Sequence, residues 1–222
     1  MASRISTDLE LRAYYAKRAA EYERIFDKPE RQADLARLRS ELPAHFAGAT
    51  LLEIACGTGY WTPLLAARAA SVHATDANEE VLAIARTKPY PRSNVRFERC
   101  DAYALPAWPE KFGACFAGFW WSHVPKRLLA DFLHGVHARL APGARVAFLD
   151  NRYIEGSSTP LARSDTDGNT YQLRRLADGS EHEVLKNFPA AAEIEARLGA
   201  RCREFAWHRL DYYWYCTYCT AD

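Results

Sequence analysis

The sequence predicts an α/β fold: a seven-stranded, mostly parallel sheet with helices on both faces, an antiparallel closing strand and an N-terminal helical cap. Three observations predict it. From Thr50 onward, short apolar runs alternate with segments of helical periodicity, the pattern of a parallel sheet covered on both faces. A helix-patterned stretch of 48 residues precedes the first of those runs. The final stretch REFAWHRLDYYWYCTYC, residues 203–219, reads as two antiparallel strands that close the sheet.

Each element has its own signal. TDLE, Thr7 to Glu10, fits a capping box with Thr7 as cap. Leu11, Tyr15, Tyr22, Ile25 and Phe26 then share one helical face, and Pro29 ends the run or starts the next. A second helix is expected over 30–42, with Leu35, Leu38 and Leu42 inward, broken by LPAHFAGA. Leu51 to Ile54 is the first strand. Thr62 and Pro63 read as cap and first residue of a helix reaching about Ala70. SVHATD, NVRFERCD, CFAGFWW and RVAFLD are the next four strands. NEEVLAIAR and KRLLADFLHGVHARL are intervening helices, the latter ended by Pro142-Gly143. TYQLRRLADGSEHEVLK reads as two strands around a turn at Asp178-Gly179, and AAAEIEARLG as a helix with Gly199 as its C-cap. No repeat or linker interrupts the chain. One domain is expected: a cap over 1–48, a core over 49–150, a hairpin insertion over 151–189, and a closing helix and strands over 190–222.

Composition narrows the function classes. The 222 residues suffice for a full core. The formal net charge of +1 argues against a broad nucleic-acid footprint. No apolar stretch reaches membrane-spanning length, and MASRISTDLELRAYY lacks an apolar signal core, so a cytoplasmic protein without a membrane partner is expected. Six cysteines, at 56, 100, 115, 202, 216 and 219, are too few for a disulfide scaffold. Cys216 and Cys219 fall in a strand, where residues three apart face opposite sides, so core thiols are expected and no metal site.

Ligands of open α/β sheets bind beyond the carboxyl ends of the strands. Those ends read ACGTGYW, Asp76, CDAYALP, FWWSHVP and DNRY, which brings several acids to one crevice. A phosphate-binding P-loop fits poorly, because no Gly-Lys-Ser/Thr follows the turn. A dinucleotide fingerprint fits in part: Gly57 and Gly59 are present, Thr62 stands at the third glycine, and an acid follows at 76. Glu53, an acid inside the first strand, needs a reason to be there, since unpaired burial is costly.

Read in order, these stretches resemble the class I S-adenosylmethionine-dependent methyltransferases, of the small-molecule type. EIACGTG resembles the family's first motif, E/D-x-G-x-G-x-G, with Ala55 in place of the first glycine. TDANEEVL, CDAYALP, FWWSHVP and LAPGARVAFLD resemble the motifs after the second, third and fourth strands and at the fifth. The resemblance covers about Tyr14 to Asp150. It implies a Rossmann-like sheet and S-adenosyl-L-methionine as cofactor.

The resemblance also implies a site. Asp76 would hold the ribose hydroxyls and Asp101 the adenine amino group. Ala55, Cys56, Gly57 and Gly59 would pass beneath the methionine and ribose, with Glu53 orienting the turn or reaching the amino group through water. Ala77, Ala102, Phe119 and Trp120 complete the expected cofactor set. YYAKRAAEYE resembles the lid helix of small-molecule members, which adds Tyr14, Tyr15 and Arg18, the last as a clamp on the cofactor carboxylate. The bland readings stay open: Asp76 as a helix cap, Asp101 as a solvated loop acid, Arg18 as a wet head on a packed stem. His123 is the candidate general base, or else pins its loop. Tyr22, Trp121 and Tyr153, with the hairpin, are expected at the acceptor. The expected reaction is methyl transfer to an O, N or S atom of a small molecule. The alternatives are a macromolecular acceptor, disfavoured because no D/N-P-P-Y/F-type motif follows the fourth strand, and a nucleotide-cofactor oxidoreductase or binding module.

Overall fold

The computed structural model describes residues 2–221, and the side chains of 10–221. Helix α1 (Ala2–Arg18) passes through tighter 3-10 turns to α2 (Gln32–His45). The alternating core follows: β1 (Thr50–Ile54), α3 (Thr62–Ala66), β2 (Ser71–Asp76), α4 (Glu79–Thr87), β3 (Val95–Arg99), β4 (Phe112–Gly118), α5 (Leu129–His137) and β5 (Leu140–Asn151). Then come β6 (Leu161–Ser164), β7 (Thr170–Arg175), β8 (Glu181–Leu185), α6 (Ala191–Leu198), β9 (Cys202–Arg209) and β10 (Tyr213–Thr220).

Seven strands form one sheet in the order β3-β2-β1-β4-β5-β10-β9. The strands from β1 to β5 pair in parallel, and β10 runs antiparallel to both β5 and β9. Alternation along the strands feeds two cores. Leu51, Ala114, Phe116, Ala147 and Leu149 face α2 and α3, packing on Leu35, Leu38 and Leu65. Leu52, Ile54, Cys115, Phe148 and Cys216 face α5 and α6, packing on Phe132, Leu133 and Ile194. YWYCTYC is apolar at nearly every position because β10 is buried on both faces: Trp214 and Tyr218 in one core, Tyr213 and Tyr215 in the other. All six cysteines are free thiols, three of them buried.

Several boundaries differ from expectation. Helix α1 begins at Ala2, so Thr7 lies inside it and is not its cap; the Thr7 side chain lies outside the described residues. Pro43 does not break α2 but rides in its last turn, and Thr62 is the first residue of a helix only five residues long, after a Trp61 cap. Helix α5 stops at His137, because Leu140 is already paired with Phe112. The hairpin carries a third strand, β6, all of whose residues are exposed, so LARS has no apolar alternation to announce it. No helix among the described residues is long and apolar enough to cross a membrane.

Candidate active site

The turn after β1 is built for close approach. Ala55, Gly57 and Gly59 all take the left-handed conformation, at φ 53°, 57° and 76°. Gly57 faces open space, with no atom within 4 Å of where a Cβ would stand, so its backbone is exposed to a ligand. Gly59 is needed for another reason: a Cβ there would lie 3.0 Å from the Ala85 methyl on α4. Ala55 departs from the family glycine at a backbone conformation that costs a residue with a side chain about 1–2 kcal/mol.

Asp76 fastens this turn from β2. Its Oδ2 accepts the Gly57 N–H at 2.9 Å and its Oδ1 the Asn78 N–H at 2.9 Å. Burial pushes its carboxyl up, and the backbone N–H groups pull against that. The cap reading and the ligand reading are therefore compatible: two carboxylate oxygens have about four lone-pair sites, more than the backbone N–H groups occupy. Asp101, after β3, accepts the Tyr103 N–H at 2.8 Å, and Arg12 of α1 donates to its other oxygen at 2.7 Å.

Glu53 shares the Leu51 face of β1 and lies beneath the turn, 1% exposed. Burial pushes its carboxyl up to about 8, against a small downward pull from the Thr62 hydroxyl.

Two voids open above the sheet's carboxyl edge. A slot of about 80 Å³ is lined by Ala55, Gly57, Asp76, Ala77, Asp101, Ala102 and Trp120, with Leu11, Arg12, Thr58, Asn78 and Val81. A cavity of about 470 Å³ lies between the cap and the hairpin, lined by Tyr14, Arg18, Arg31, Arg174, Lys186 and others. Tyr15, Tyr22, Phe119 and His123 line both voids, so the two meet there. Phe119, at φ 60°, is held in a left-handed backbone at this junction.

Hydrogen bonds fix the state of His123. Its Nδ1–H donates to the Leu185 carbonyl at 2.7 Å, which leaves Nε2 to accept the Tyr15 hydroxyl at 2.8 Å. Burial, then Lys186, Arg174 and Arg18, hold its pKa well below the usual histidine value. The ring is neutral, and both nitrogens are engaged.

Lys186 and Asp150 form a buried pair behind it. The Lys186 Nζ donates to Asp150 Oδ1 at 2.8 Å and to the Ser122 hydroxyl at 2.6 Å, while Asp150 Oδ2 accepts the Ser122 N–H at 2.9 Å. Asp150 belongs to the acids expected at strand ends, yet it binds the hairpin to the loop after β4 instead of lining either void.

The structure moves several expected residues. Tyr14 and Arg18 line the cavity, not the slot, because that face of α1 turns toward β7. The Arg18 guanidinium donates to the Tyr14 hydroxyl at 3.0 Å. Glu53, Cys56 and Gly59 line neither void: they face the sheet or α4. Trp121 is 2% exposed and packs on Phe148, since the 3-10 turn at Trp121–His123 rotates it into the core. Tyr153 packs on Phe188 at the surface, 39% exposed, outside both linings. The sequence does not single out Arg12, one helical turn before Tyr15, or Arg31, two residues after Pro29.

Comparisons with known proteins bear on the fold and on the segment that carries the slot. Residues 51–143 match the family model described as "Methyltransferase domain". Demethylmenaquinone methyltransferase of Staphylococcus aureus is 32% identical over 106 residues, 46% of this chain and 43% of the relative. 2-Phytyl-1,4-naphtoquinone methyltransferase of Thermosynechococcus vestitus is 34% identical over 53% of this chain and 52% of the relative. The chain spans about half the length of these curated relatives. A solved structure described as "DhpI-SAH complex structure" is 28% identical and superposes over 97% of both chains with a TM-score of 0.75. One described as "DhpI-SAM-HEP complex" is 29% identical over 96% of both, again with a TM-score of 0.75. The matched segment, 51–143, contains the strand ends that build the slot, and the fold is shared with these two solved structures over nearly the whole chain.

Proposed function

We propose that this chain transfers the methyl group of S-adenosyl-L-methionine to an O, N or S atom of a small molecule. One observation carries the reading: a slot with two carboxylates and an open glycine backbone meets a separate, larger cavity at four side chains.

The slot suits a phosphate-free cationic cofactor. Asp76 and Asp101 offer acceptors for ribose hydroxyls and an adenine amino group, and charge-assisted bonds are the stronger kind. Gly57 leaves room for a ligand against the turn. Aromatic faces of Tyr15, Tyr22, Phe119 and Trp120 suit a sulfonium by cation–π attraction. When bound, the cofactor supplies an electrophilic methyl group.

The chain's own work is alignment and exclusion of water. Helix α1 and β8 close over the junction: Leu11 and Tyr14 pack on Val184, and His123 reaches the Leu185 carbonyl. His123 then acts as a positioning residue that fixes the Tyr15 hydroxyl. A base role would require Tyr15 to leave Nε2, and a depressed pKa makes a weak base. Residues 1–48 and 151–189 serve as cofactor cover and acceptor cover. The near-neutral charge favours a small acceptor over nucleic acid.

The test is incubation with methyl-labelled cofactor and fractionated cell extract. The expected result is label in the small-molecule fraction, with S-adenosylhomocysteine formed in equal amount. Label confined to protein or nucleic acid, or none above an enzyme-free blank, overturns the reading.

A further inference from the structure

The 470 Å³ cavity is strongly cationic in a chain of net charge +1, so the positive charge is local. Lys186 is neutralised by Asp150. Arg18, Arg31 and Arg174 are not: among the described residues none has a carboxylate partner. Arg31 is 8% exposed and meets only neutral groups, Asn151 Oδ1 at 3.2 Å and Ser157 Oγ at 3.1 Å, while its Nε has no partner. It is held over the rings of Tyr212 and Tyr213. Arg174 is fixed by Gln172 Oε1 at 2.8 Å and lies over Tyr14. Arg18 lies over Tyr22, which lines the junction.

Three guanidinium groups from three separate segments thus face one cavity without a counter-ion of their own. Desolvating unpaired cations is costly unless an anion completes them. Guanidinium matches the planar or tetrahedral oxygens of an oxoanion, bidentately and with fixed geometry. After burial and Lys186, two members of this cluster, Arg174 and Arg18, also hold the His123 pKa down.

We propose that the acceptor is a small molecule bearing an oxoanion, a phosphonate, phosphate or carboxylate group, held by Arg31, Arg174 and Arg18. This rests on the cavity being the acceptor site. The anion neutralises the cluster and anchors the acceptor so that its nucleophile meets the junction at Tyr15, Tyr22, Phe119 and His123.

The experiment has two arms. In the first, the chain saturated with S-adenosylhomocysteine is titrated calorimetrically with methylphosphonate, inorganic phosphate and acetate. Binding of at least one is expected, with affinity lowered about tenfold or more in Arg174→Gln and in Arg31→Gln, the loss of one charge-assisted bond. Unchanged S-adenosylhomocysteine affinity in both variants shows that they are folded. Phosphonate and phosphate binding without acetate identifies a phosphorus oxoanion; acetate alone identifies a carboxylate. In the second arm, extract is passed over an anion exchanger at neutral pH before the labelled-methyl assay, and acceptor activity is expected in the retained fraction. Activity in the flow-through, or anion binding that is absent or indifferent to both substitutions, overturns the proposal. No transfer to any fraction counts against the methyltransferase reading alone, because the titration still decides the anion site.

Discussion

Asp76→Ala weakens S-adenosylhomocysteine binding by about a hundredfold or more. The carboxylate stands at the end of β2 and keeps acceptor capacity toward the slot after serving backbone N–H groups of Gly57, Asn78 and Ala77. Two charge-assisted bonds to ribose hydroxyls at about 1.5–3 kcal/mol each correspond to a factor of roughly 10² to 10⁴. The substitution also releases the Gly57 N–H, so the turn loses the anchor that holds it against α4. Asp76→Asn separates the two effects. It keeps an acceptor oxygen for one backbone N–H but loses the charge, so its affinity falls between wild type and alanine. Calorimetric titration reads both, with the melting temperature as a check on folding. An affinity for Asp76→Ala within threefold of wild type would remove Asp76 from the cofactor site.

Asp150→Ala has the largest expected effect on stability. It leaves the Lys186 ammonium buried, 4% exposed, with only the Ser122 hydroxyl beside it, and strips the Ser122 and Asn151 N–H groups of their acceptor. Removing one partner of a buried pair costs about 3–5 kcal/mol. In a chain of this size each 1 kcal/mol lowers the melting temperature by about 2–4 °C. Burial already pulls the Lys186 pKa down while Asp150 holds it up, so loss of Asp150 drives the amine toward its neutral form. The double variant Asp150→Ala, Lys186→Met removes the stranded charge and recovers part of the loss. Urea unfolding of the single and double variants measures both. A single variant within about 1 kcal/mol of wild type, or a double variant less stable than the single, contradicts the account of this pair.

The centre of the sheet is legible because β1, β4 and β10 are buried on both faces, and continuous apolar runs between helical segments have few other readings. Asp76 and Asp101 were legible for a related reason: the carboxyl end of a parallel strand fixes where the next side chains point, so strand register alone delivers both acids to the slot. Side chains beyond a strand end by a tight turn were not. Trp121 follows Trp120 directly, yet the 3-10 turn sends Trp120 to the slot and Trp121 to the core. The sequence puts Arg18 on the Tyr15–Tyr22 face, but which void that face meets depends on how α1 docks against β7 and β8. Arg31 was invisible for a deeper reason. Its surroundings, Asn151, Ser157, Tyr212 and Tyr213, lie more than a hundred residues away, and no local pattern assembles them. Glu53 is visible as an acid in an apolar strand, while the upward push on its carboxyl follows only from the depth of its burial.

The slot is expected to take a phosphate-free adenosyl cofactor. The most direct measurement is a pair of calorimetric titrations of the wild-type chain, one with S-adenosylhomocysteine and one with NADH. The account predicts saturable binding of one S-adenosylhomocysteine per chain and no saturable binding of NADH. Tighter binding of NADH would contradict it.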